Sequence, residues 1–187
     1  MVYSSKDGQS VKGGSILPGN IGEGDNGFTN RLDGSRVRKD HPTIELIGEI
    51  DELTAWIGLL RTEISDPDTE EKLAKIQNHL SIIMAVISGS GSDLKNYSTA
   101  LSQNLRLVEG WLGELEKTVH LPHAFLVPGG ASRKGVLANL ARTVSRRVER
   151  RAVSALFSEN EPYSFILAYL NRLSSYFYLL WLSYEQQ

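Results

Sequence analysis

Apolar residues recur every three or four positions along most of the chain after Pro42. Ile44, Ile47, Leu53, Trp56, Ile57, Leu60 and Ile64 keep that spacing and predict an amphipathic helix over about 43–64. Ser65-Asp66-Pro67-Asp68 stops it and supplies caps for the next. Leu73, Ile76, Leu80, Ile83, Met84 and Ile87 carry a second helix to about residue 88, where Ser88-Gly89-Ser90-Gly91-Ser92 breaks the chain. Leu101, Leu105, Val108, Trp111, Leu112 and Leu115 mark a third helix, closed before Pro122. Pro128-Gly129-Gly130-Ala131-Ser132 opens a fourth, about 132–157, carried by Val136, Leu137, Leu140, Val144 and Val148. Asn160-Glu161-Pro162 starts a fifth, with Ile166, Leu170, Leu173, Phe177 and Leu180 on one side. Five helices with short connections and no convincing strand predict an all-α bundle over residues 41–187. Phe165, Tyr169, Tyr176, Tyr178, Leu179 and Trp181 make the fifth helix apolar nearly all round. That suits a central helix, or one shared with another subunit.

Residues 1–40 carry no such period. Their glycines predict a disordered first half to about Pro18, then a glycine-rich loop, 19–40, whose backbone approaches something closely. With 187 residues, 41% of them hydrophobic, a single well-buried core is the expectation. A net charge of −2 gives no global attraction for nucleic acid. The absence of cysteine excludes disulfides, thiolate zinc sites and a Cys nucleophile. His41, His79, His120 and His123 are scattered and form no helical metal-binding pair. No apolar run is long enough to span a membrane, which predicts a cytoplasmic protein or one of an organellar matrix.

Candidate chemistry concentrates in Ala141-Arg142-Thr143-Val144-Ser145-Arg146-Arg147-Val148-Glu149-Arg150-Arg151. On a helix Arg142, Arg146 and Glu149 share one face, with Arg147 and Arg151 a quarter-turn or more away. One reading is a solvated face in which the arginines pair with neighbouring acids. The other is a polyphosphate site: guanidinium forks suit phosphate oxygens, and a glycine-rich loop can add backbone amides. No GxxxxGK[ST] is present, so a P-loop is excluded.

Four blocks, in order, sharpen this. Gly24-Asp25-Asn26-Gly27-Phe28-Thr29 resembles the GDxGxT loop of the PduO-type ATP:cob(I)alamin (corrinoid) adenosyltransferases. Gly48-Glu49-Ile50-Asp51-Glu52-Leu53 resembles that family's first-helix block. Phe125-Leu126-Val127-Pro128-Gly129-Gly130, with Ala141-Arg142-Thr143 to Arg150 at the family's spacing, resembles its central signature. Asn171-Arg172-Leu173-Ser174 is similar to its last-helix motif.

The resemblance implies a five-helix bundle, a homotrimer with sites between subunits, and a magnesium-dependent transferase. Its reaction would move the 5′-deoxyadenosyl group of ATP to the cobalt of a reduced corrinoid, with release of triphosphate. Reduced Co(I) would be the nucleophile, and a separate corrinoid reductase is a possible partner. The same resemblance assigns Gly24, Asp25, Gly27, Thr29, Lys39, Arg146, Arg147, Glu149, Arg150 and Asn171 to the nucleotide. It assigns Asp51 and Arg142 to a charged pair joining subunits beside the site, and Phe125 to the corrinoid side. Two positions depart from the pattern. Ile21-Gly22-Glu23 stands where the family usually has Thr-Lys/Arg-Thr, and Ser175 where it usually has Asp. They leave open a second expectation, a family member that binds corrinoid or nucleotide without turnover.

Overall fold

The computed structural model describes residues 22–89, 94–122, 126–127, 132–156 and 162–186. Five helices dominate it: α1 (Pro42–Arg61), α2 (Pro67–Ser88), α3 (Leu94–Glu116), α4 (Arg133–Leu156) and α5 (Pro162–Glu185). The bundle predicted from periodicity is therefore the observed fold, with shifted ends. His41 caps α1 by accepting from the Thr43 amide, and Pro42 occupies the first turn, where its missing N–H costs nothing. Asp66 caps α2 in the same way, through the Thr69 amide at 2.9 Å. α3 begins seven residues before Leu101, taking in Leu94 and Tyr97, and Tyr97 packs against the core. The expectation of disorder up to residue 18 lies outside the described residues.

Each helix turns a narrow stripe inward. The fully buried residues of α1 (Leu46, Ile50, Leu53, Ile57, Leu60) and of α5 (Ile166, Leu170, Leu173, Phe177, Leu180) alternate spacings of four and three. That spacing lets neighbouring helices interdigitate at shallow crossing angles. α1 packs on α2 and α4, α4 on α5, α5 on α3, and α3 on α2, so the five close into a ring around one core. α4 presents small residues to that core, including Gly135, Ala138, Ala141, Ser145 and Ala152, which bring its backbone close to α1 and α5. Besides its stripe α5 buries Tyr169, Tyr176, Leu179, Trp181, Leu182 and Tyr184. Among the described residues no helix is long and apolar enough to cross a membrane.

A β-hairpin was not expected. β1 (Phe28–Asn30) and β2 (Arg36–Arg38) pair antiparallel, Thr29 opposite Val37. Three residues per strand give only one cycle of alternation, too short to register as a strand period. Before β1 the chain turns twice, Gly22 O accepting from Asp25 N and Gly24 O from Gly27 N. Gly27 sits at φ +80° with open space around it, so only backbone strain opposes a side chain there. Gly27→Ala is expected to lower stability by about 1 kcal/mol, measurable as a reduced midpoint in urea unfolding.

Candidate functional site

The glycine loop and Lys39 come together. A Cβ added to Gly24 would lie 2.8 Å from Lys39 Nζ, so the ammonium rests directly on this backbone. The Lys39 amide donates to Gly27 O at 2.9 Å, closing the base of the hairpin over the loop. Arg36 reaches the same turn: it bonds Asn26 Oδ1 at 3.1 Å and lies over the Phe28 ring. Thr29 is half-buried in β1, while Asp25 and Gly27 are exposed. The outcome is a small exposed platform of backbone turns carrying two cations. Gly22, part of the departure from the family pattern, has φ +96°. A glycine suits that conformation, whereas a lysine or arginine there would be strained. Ile21 lies outside the described residues.

α4 sorts its arginines onto two faces with different fates. Arg147 donates from Nε to Glu49 and from Nη2 to Glu52, both on α1. Its hydrogen bonds to these carboxylates hold Arg147 above its ordinary pKa, and Arg147 in turn lowers that of Glu52. Arg151 lies 3.4 Å from Glu45. This face is a tie between α1 and α4. A phosphate contact by Arg147 would compete with two carboxylates already bound.

The other face is different. Among the described residues neither Arg142 nor Arg146 has a carboxylate partner. Arg142 donates to Asn139 Oδ1 at 2.8 Å and stacks on Trp181, its Cζ 5.7 Å from the ring centroid. Burial first, then the charge of Arg146, pulls Arg142 below its ordinary pKa. Arg146 is exposed one turn further on. Two uncompensated guanidiniums, one of them half-buried, make a binding surface for an anion. The sequence reading overlooked Asn139 and Trp181. A polar residue three positions before Arg142, within the buried stripe, was the available signal for Asn139. Trp181 was hidden in a helix apolar on every side.

Glu149 and Asn171 are brought together, Asn171 Nδ2 donating to Glu149 Oε1 at 2.8 Å. Arg172 extends the chain by donating to Asn171 Oδ1 and to Glu109. Arg150 is exposed on α4. Asp51 is exposed on α1 and is not paired with Arg142 within this chain. The Phe125 assignment lies outside the described residues. Its neighbours are described: Leu126 and Val127, with His120, Leu121, Pro122, Trp181 and Leu182, wall a hollow of about 470 Å³. A second hollow of about 420 Å³ adjoins it at Leu121 and contains Ser175, Tyr178 and Leu179. Val127 is 82% exposed and Leu121 64%, so the outer wall of this apolar hollow is uncovered, while Trp181 and Leu182 are buried. Trp181 belongs to the first hollow and also carries Arg142, so the cationic face and the apolar hollow meet at one indole.

Residues 20–184 match the sequence profile of cobalamin adenosyltransferases. The chain belongs to that family. It is 37% identical over 163 residues to the corrinoid adenosyltransferase of Bacillus subtilis strain 168, covering 83% of this chain and 80% of that protein. Identity to the cobalamin adenosyltransferase of Cupriavidus metallidurans is 35% over 159 residues, 84% of this chain and 82% of that one. Its fold superimposes on that of a variant PduO-type ATP:corrinoid adenosyltransferase from Lactobacillus reuteri, complexed with cobalamin and ATP. The TM-score is 0.78 at 26% identity, covering 90% of this chain and 95% of that one. Among the described residues, the adenosyltransferase blocks of the sequence thus fall on the glycine loop, α1, α4 and α5.

Proposed function

We propose that this adenosyltransferase-family chain transfers the 5′-deoxyadenosyl group of ATP to the cobalt of reduced cob(I)alamin, forming adenosylcobalamin and releasing triphosphate. The observation that carries this reading is the unpaired Arg142–Arg146 face abutting, through Trp181, an uncovered apolar hollow. A polyphosphate matches the first in charge, and the apolar face of a corrin ring matches the second in polarity. Cobalt is the nucleophile, so the protein needs none. Its contribution is to hold C5′ against cobalt and to stabilise charge developing on the departing triphosphate.

In this reading Arg146 and Arg142 receive the triphosphate, with Gly24, Asp25, Gly27, Thr29 and Lys39 folding over it. Glu149, Arg150 and Asn171 complete the nucleotide pocket, and Phe125 faces the corrinoid. The glycine loop hangs from the hairpin, and Asp51 and Arg142 have no carboxylate–guanidinium partner among the described residues. Both features suit a homotrimer in which one protomer's loop, or Asp51, meets a neighbour's α4. Arg147 then stabilises α4 through Glu49 and Glu52 rather than binding phosphate. Among the described residues no group of three or more His, Asp and Glu side chains is placed to hold a metal. Magnesium would travel mainly on the triphosphate oxygens and water. A cytoplasmic or organellar-matrix location and supply of Co(I) by a separate reductase belong to the same reading.

The test is turnover. Protein mixed with Mg-ATP and chemically reduced cobalamin should convert the Co(I) spectrum to that of the alkylated form, with one triphosphate released per cobalamin. Binding of both ligands without conversion would replace the enzyme with a non-catalytic binder, and the altered loop at Gly22 and Glu23 would be the first place to seek the cause.

A further inference from the structure

The hairpin that carries the glycine loop has little to hold it by burial. None of its residues belongs to the hydrophobic core, and Phe28, Asn30, Arg36 and Arg38 are exposed. An isolated two-stranded hairpin is marginal in water. What fixes it is polar and lies at its far end. Arg31 Nη2 donates to Ile87 O at 2.9 Å and to Gly89 O at 3.1 Å. The Leu32 amide donates to Ser88 O and to Ser88 Oγ, each at 3.1 Å. These acceptors are at the C-terminus of α2, where helix carbonyls lack intrahelical partners and the helix dipole favours a cation. Arg31 is committed to this place. Its Nε is buried with no hydrogen-bond partner among the described residues.

The turn between pin and strands is itself stiff. Arg31 N bonds Ser35 O at 2.8 Å and Gly34 N bonds Arg31 O at 3.0 Å, while the Asp33 carboxylate takes both the amide and the hydroxyl of Ser35. Beyond it run the paired strands and then the Lys39 amide on Gly27 O. A continuous hydrogen-bonded path thus leads from the end of α2 to Gly24 and Lys39.

We propose that Arg31 is a positioning residue for the nucleotide: by bonding the terminal carbonyls of α2 it sets the hairpin, and with it Gly24 and Lys39, where the triphosphate is received. This rests on the reading above that the loop and Lys39 take the triphosphate. Arg31 touches no substrate. Its loss lets the loop sample positions in which Lys39 is misplaced, so ATP binding suffers while the corrinoid side and the helical core do not.

The experiment compares steady-state kinetics of the full-length protein with those of Arg31→Met, which keeps the apolar stem and removes the donors. The Michaelis constant for Mg-ATP should rise about fivefold. That for cob(I)alamin, kcat at saturating ATP and the thermal unfolding midpoint should stay unchanged. Arg31→Lys, which restores a cation with several donors, should recover at least half of the loss. Ser88→Ala, which removes one acceptor of the pin, should raise the ATP constant about twofold and stands in if Arg31→Met fails to fold. Equal ATP constants in the variants and the unchanged protein would overturn the proposal. So would parallel losses for both substrates together with a lowered unfolding midpoint. If the unchanged protein does not bind Mg-ATP by calorimetry, the functional reading fails and takes this inference with it. If it binds and Arg31→Met binds equally, only the inference fails.

Discussion

Replacing Arg146 with alanine is expected to weaken Mg-ATP binding at least tenfold, about 1.4 kcal/mol or more, without loss of fold. The separation of the two effects follows from where the guanidinium sits. Arg146 is exposed and has no carboxylate partner among the described residues, so its removal breaks no ion pair. Its charge lies close enough to Arg142 to help depress that residue's pKa. Two like charges one turn apart oppose each other until an anion arrives. The ATP-free variant should therefore be as stable as the unchanged protein or slightly more so. Calorimetric titration with Mg-ATP, paired with thermal unfolding of the free protein, reads both quantities. Unchanged affinity would remove Arg146 from the site. Lower affinity accompanied by a lower unfolding midpoint would show that the residue holds the helix together instead. Arg147 is the natural contrast, because its alanine variant removes both ion pairs it makes to α1 and should act on stability first.

That contrast also marks how far the sequence could be read. Spacing of Arg142, Arg146 and Glu149 on one face, with Arg147 and Arg151 on another, follows from helix geometry alone, and the structure keeps that division. Which face would be neutralised did not follow. It depends on Glu45, Glu49 and Glu52, nearly a hundred residues earlier, lying opposite once α1 packs on α4. The helices were legible because a buried stripe, such as Leu46 to Leu60 in α1, repeats over about four turns. The hairpin was not, because three-residue strands offer no repeat and their anchor, Arg31 on the end of α2, is a contact between distant segments. Lys39 on Gly24 shows the same limit from the other side. The family's spacing assigned both residues to the nucleotide, while their mutual contact required the turn at Arg31–Ser35. Trp181 was invisible as a site residue because nothing in an all-round apolar helix distinguishes an indole that carries a guanidinium from one that only fills space.

The largest effect on the free protein should come from acid. His79 is 6% exposed, stacked on Trp111 of α3, and its Nδ1 lies 3.0 Å from the Tyr169 hydroxyl of α5. Burial, aided by Lys75 one turn away on α2, pushes its pKa down from 6.5 to about 4. The folded protein thus keeps His79 neutral where the unfolded chain already takes up a proton. Between those two values the unfolded state binds more protons, so stability falls as pH falls through that window. It is fully present above about pH 6.5, and the loss levels off below about pH 4. Two and a half pH units of difference correspond to a loss on the order of 3 kcal/mol. Carboxylates held below their usual range, such as Asp66 and Glu52, add a decline of the same sign at lower pH. His79→Gln separates the contributions, since glutamine can still meet the Tyr169 hydroxyl but does not titrate. Urea unfolding at pH 7 and pH 4.5 should show a much smaller drop in the variant than in the unchanged protein, with the carboxylate part common to both. Parallel pH profiles would mean that the cluster joining α2, α3 and α5 accepts a charged imidazole, and that acid sensitivity arises elsewhere. A flattened profile would identify the joint through which acid loosens α5, and with it the Trp181 wall on which Arg142 rests.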